Sequence, residues 1–157
     1  MKFSDDAFDV DNNLNLAIFF GIICAIVSAI ATVSDIGAAY IFIGIVVGTL
    51  LAFKIDGVHH LITLIIFIII CLILGLPDLN IVVLLICILA PLTDEVGHEL
   101  ISNVTENGFI ILFFEYRFVM KIVIFLLALC GVFSFWTFII FIFFEIGYLM
   151  AGLLYKN

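Results

Sequence analysis

The sequence predicts an all-α integral membrane protein, a six-span helical bundle with both termini on the cytoplasmic side. Three observations lead there. Of the 157 residues, 67% are hydrophobic and the mean hydropathy is +1.48, well beyond the roughly 45–50% apolar share of soluble domains. Apolar runs close to 20 residues, the length that crosses a hydrocarbon core about 30 Å thick, recur along the chain. All five basic residues, Lys2, Lys54, Arg117, Lys121 and Lys156, fall on one side of the resulting topology, which is the cytoplasmic signature.

Residues 1–13 form an acidic head, expected as a disordered, solvated tail because aspartates fill four of the seven positions from Asp5 to Asp11. Residues 14–157 form one polytopic domain. The first two spans, 14–33 and 36–53, are separated by the tight turn Ser34-Asp35. The third, 58–76, stops at Gly75 and Pro77, a strong turn signal. The fourth begins near Leu79 but is strongly apolar only to Leu92, about 21 Å of helix. Crossing therefore requires it to continue through "TDEVGH" to residue 98. The fifth, 109–130, carries Glu115, Arg117 and Lys121 in its first half. Either it starts near Phe109 with Glu115 in the membrane, or residues 109–116 lie in the interface and the span starts near Arg117. The sixth, 135–154, holds Glu145 near its middle.

Composition excludes several classes. A net charge of −8 with only five basic residues offers no patch for nucleic acid. The acidic start lacks the basic-then-apolar order of a signal peptide, so no cleaved leader is expected. Cys24, Cys71, Cys87 and Cys130 stand singly in apolar stretches and read as small buried hydrophobes. Gly21, Gly44 and Gly48 supply small residues for close helix contact. No nucleotide-binding or serine-hydrolase motif is present.

The chemistry-bearing residues gather in two cytoplasmic segments, between helices 2 and 3 and between helices 4 and 5. "KIDGVHHLI" and "TDEVGHELI" share the pattern Asp-x-Val-x-His, as Asp56 with His60 and as Asp94 with His98. Residues four apart share a helix face, so each pair can aim at one object, and His59 and Glu95 add partners at i,i+3. Paired carboxylate and imidazole donors are what a divalent metal site in a helical bundle requires. The expected ligands are Asp56, His59, His60, Asp94 and His98 for Zn, Fe or Mn. Glu95 or Glu99 would act as general base, and Glu115 and Glu145 are intramembrane carboxyls that need a partner.

"LPDLN" resembles part of the Pro-Asp-x-Asp element of the membrane-bound metal-dependent hydrolases, with Asn80 where the second aspartate would stand. No family follows from it and no site residue is carried over. The expected activity is a metal-dependent hydrolase acting at the cell membrane on a lipid-linked substrate. The alternatives are a small oligomeric transporter or ion-conducting unit using Glu145, and a structural subunit of a larger membrane complex. Expected partners are the lipid bilayer and either a second copy or such a complex.

Overall fold

The computed structural model describes residues 1–55 and 57–155, and the described residues form eight α-helices and no strand. They are α1 (Lys2–Asp9), α2 (Leu14–Ser34), α3 (Ile36–Leu51), α4 (Val58–Leu74), α5 (Ile81–Val104), α6 (Gly108–Glu115), α7 (Phe118–Leu129) and α8 (Phe135–Tyr155). Three segments, Leu14–Ser34, Ile81–Ile101 and Phe135–Leu154, are long and apolar enough to cross a membrane. They mark the chain as a membrane protein. The helices α3, α4 and α7 are apolar but shorter.

Short polar side chains set the helix boundaries. Asn13 caps α2 by accepting from the Leu16 amide, and Asp35 accepts from the Ala38 amide at 2.7 Å to start α3. Because Asp35 also ends α2, one residue both stops and restarts the helix, which is why the Ser-Asp turn can be so tight. Gly75 closes α4 at φ +85°, a conformation that favours glycine. Asn80 then accepts from the Val82 and Val83 amides to open α5, and its own amide donates to Tyr40 Oη at 2.6 Å.

Helix α5 runs without interruption through the polar cluster to Val104, as its short apolar part requires. Pro91 lies inside it and removes the hydrogen bond that Cys87 O would otherwise accept. At this point α3 comes closest. A Cβ at Gly44 would strike the Cys87 carbonyl, and one at Gly48 would meet the Pro91 ring at 2.7 Å. Two apolar clusters result. Tyr40, Ile41, Cys87, Ala90, Ile124 and Phe141 join α3, α5, α7 and α8, and Ala25, Ala29, Phe67 and Cys71 join α2 and α4.

Two expectations change, and the fifth segment divides where the second of its two alternatives starts the span. Residues 2–9 of the acidic head are helical, with Ser4 and Ala7 fully buried; α1 lies across α2 and reaches α8. The face that packs is the small one, Ser4 with Ala7 at i,i+3, while Phe3 and Phe8 stay exposed at its edges and Asp5 is drawn into the interface. The fifth apolar segment is broken at Tyr116 and Arg117, with Arg117 at φ +50° separating α6 from α7. Its second part has 12 residues. Finally, Cys71 and Cys87 are buried as expected, but Cys130 is exposed just beyond α7.

Candidate metal centre

The first turn of α4 carries His59 and His60, and α1 crosses it so that Asp5 reaches both. Asp5 Oδ1 stands 3.6 Å from His59 Nε2 and 3.5 Å from His60 Nε2. One donor atom from each of the three residues lies within 4.8 Å of the other two, the one such group of His, Cys, Asp or Glu donors among the described residues. The imidazoles pack against each other with ring centroids 4.2 Å apart, and Phe8 covers His59 at 4.8 Å. Gly57 makes room for the His59 ring, since a Cβ there would sit 2.5 Å from Cε1.

Polar satisfaction separates this cluster from ordinary core packing. His59 is 3% exposed, yet neither of its ring nitrogens has a hydrogen-bond partner, and neither does the buried Asp5 Oδ1. Each orphaned group costs on the order of 1–3 kcal/mol. The spacing explains the deficit. Separations of 3.5–3.6 Å exceed the roughly 2.7–2.9 Å of a charge-assisted hydrogen bond. They are close to the edge of a tetrahedron, about 3.3–3.4 Å, drawn by donors at about 2.0–2.1 Å from a central ion. Burial also pushes the Asp5 carboxyl above the usual range, opposed by the imidazoles and Lys2. An ion among the three atoms would supply the missing partner to Asp5 Oδ1 and His59 Nε2.

The expected ligands therefore separate. His59 and His60 are brought together, and Asp56 lies outside the described residues. Asp94, Glu95 and His98 are not members of the group. Asp94 is 1% exposed and accepts from the Val119 and Met120 amides at 3.0 and 2.8 Å. These are free amides in the first turn of α7, whose own N-cap, Arg117, contributes no capping side chain. Asp94 therefore caps α7 from another helix, where its charge also complements the helix dipole.

Glu95 is taken up by Arg117, with Oε1 2.6 Å from Nη2. The same guanidinium lies 5.5 Å from the Tyr148 ring centroid. Glu99 pairs with Lys54 at 3.3 Å on the surface. His98 is exposed and, with exposed Glu115, edges a cavity of about 110 Å³ between α5 and α6. Glu145 has the partner its position demands: Lys121 Nζ donates to it at 2.6 Å.

Asp5 is the residue that sequence reasoning missed. Its signal was the Ser4–Ala7 spacing, since small residues three apart let this helix lie close on α2. Comparison with protein-family models, curated proteins and solved structures finds no match for this chain, so the reading of the site rests on its own geometry.

Proposed function

We propose that the protein is a six-span membrane protein with cytoplasmic termini, and that it binds a divalent transition metal through Asp5, His59 and His60. The single observation behind the metal reading is the convergence of three donor atoms on one point, with two of them, Asp5 Oδ1 and His59 Nε2, buried and lacking any hydrogen bond. Two imidazoles and one carboxylate suit Zn, Fe or Mn. Three protein donors leave a position open, the pattern of catalytic rather than structural zinc sites.

The topology draws support from which ends meet. Asp5 in α1 meets the first turn of α4, Lys2 packs on Gly152 in the last turns of α8, and Asp94 late in α5 meets the start of α7. These ends share one face if α2 through α8 cross alternately, with α6 and α7 together making the fifth crossing. In such a crossing Lys2, Lys54, Arg117 and Lys121 fall toward that face.

The reaction class that fits best is metal-assisted hydrolysis of a phosphate or ester whose lipid tail stays between the helices. A bound ion would lower the pKa of a coordinated water and polarise the substrate. The chain's own residues hold the ion, and Phe8 and the paired imidazoles exclude water from one side. Glu95 and Glu99 are held by Arg117 and Lys54, so the reading does not need them as bases.

The test is Zn and Co(II) titration of the detergent-purified chain with metal analysis. Near-stoichiometric binding is expected. Loss of a group that only hydrogen-bonds a metal ligand costs a metal site about 10–100-fold, so His59→Ala, which removes a ligand, should weaken binding more than about 100-fold. His98→Ala should leave it unchanged. Absence of bound metal, or equal losses in His59→Ala and His98→Ala, would overturn the metal reading. The hydrolase reading further requires metal-dependent turnover of a lipid phosphate or ester in mixed micelles, abolished in His60→Ala.

A further inference from the structure

We infer that the metal is also a clasp, closing α1 over the mouth formed by α2, α4 and α8, so that metal availability sets whether this helix is docked. The inference rests on the metal reading above. Its own basis is that the three donors come from two separate elements, with Asp5 on α1 and the two histidines on α4.

Helix α1 has eight residues, below the roughly 12–15 that hold helical structure alone in water, so its conformation depends on what it touches. Ser4 Oγ donates to the Ala17 carbonyl at 2.7 Å, Phe3 packs on Phe20 with centroids 5.5 Å apart, and the Lys2 stem lies against Gly152. These contacts favour docking. Against them stands Asp5, whose Oδ1 is buried without a hydrogen bond beside a histidine whose nitrogens are equally unsatisfied. Docking without an ion therefore carries a desolvation penalty at the centre of the interface. An ion removes it and adds a third bond.

Linkage turns this geometry into a magnitude. With α1 released, the metal would find two imidazoles; with α1 docked, it finds three donors. If the third donor strengthens metal binding more than about 100-fold, the metal must favour α1 docking by the same factor, because the coupling is reciprocal. Such a factor moves an evenly balanced helix to almost complete docking. Release exposes Ser4 and Ala7, both fully buried in the docked helix, and uncovers the first turns of α2 and α4. The signal the clasp reads is a divalent cation of the zinc class on the cytoplasmic side.

The experiment is hydrogen–deuterium exchange on the full chain in lipid nanodiscs, followed at the amides of residues 5–10, with Zn or with a chelator. Zn binding is measured in parallel by metal analysis. Zn should slow exchange of these amides at least about 10-fold in the wild-type chain. In Asp5→Asn, which keeps size and helix, Zn held by the two histidines at saturating concentration should leave exchange unchanged. Zn that binds with an Asp5-dependent affinity but does not alter exchange overturns the clasp and leaves the metal site standing. Zn that does not bind at all overturns both.

Discussion

Two polar clusters lie among these helices, one joining α1 to α4 and one joining α5, α7 and α8, where the Arg117 guanidinium stands 5.5 Å from the Tyr148 ring centroid. They solve the problem of polar groups among apolar helices in opposite ways. In the α5–α7–α8 cluster every functional atom described has a partner: Asp94 takes two amides, Glu95 takes Arg117 and Glu145 takes Lys121. In the α1–α4 cluster, Asp5 Oδ1 and both His59 nitrogens have no hydrogen bond. A satisfied network needs nothing more and holds helices together; a convergent, unsatisfied one is shaped for something else. Burial alone does not distinguish them, since Asp94 and His59 are both almost inaccessible.

Substitutions that treat the two clusters alike should therefore give opposite results. The largest stability effect is expected at Lys121→Met, which strands Glu145 in an apolar setting. The cost is on the order of 3 kcal/mol in SDS-driven unfolding in mixed micelles, and Glu145→Gln in the same chain should recover most of it. Failure of the double variant to recover would detach the pair from the stability of α7 and α8. Next comes Asp94→Ala, which uncaps α7 and leaves two amides without a partner. A loss of about 2 kcal/mol is expected by the same unfolding assay, with Zn affinity unchanged.

His59→Phe should behave in the reverse sense. In the metal-free protein it should change stability by less than about 1 kcal/mol, or raise it, because the replaced nitrogens have no partner to lose. Zn affinity should nevertheless collapse. A loss of stability comparable to that at Asp94 would show that His59 belongs with the satisfied network after all. The smallest effect belongs to Lys54→Ala, which breaks an exposed pair with Glu99; thermal unfolding should shift by no more than about 0.5 kcal/mol equivalent.

Much of the helical organisation is legible in the sequence because it follows from local chemistry. Asp35 and Asn80 announce helix starts, and the polar run from Thr93 to His98 continues as helix because its apolar part alone is too short to cross. The centre is legible only in part. His59 and His60 stand out as imidazoles at the head of an apolar helix. Their partner comes from a segment whose charge density suggests solvation and whose small Ser4–Ala7 face packs against α2 instead. The Asp-x-Val-x-His repeat drew Asp94 and His98 into the same expectation. What Asp94 does depends on the unpaired amides of Val119 and Met120, created by the break at Arg117, and no local pattern around Asp94 reports a distant helix end.

The reach of α1 from α2 to α8 has a consequence for how the chain is made. Synthesis delivers Asp5 first, the histidines of α4 later, and Gly152, on which Lys2 rests, near the end. Long-range contacts of this kind form only after the intervening helices are in place. A chain arrested with α8 uninserted offers two imidazoles and an unanchored carboxylate. Under the proposed metal reading, the share of molecules in a preparation that bind the ion tightly thus counts those that completed assembly.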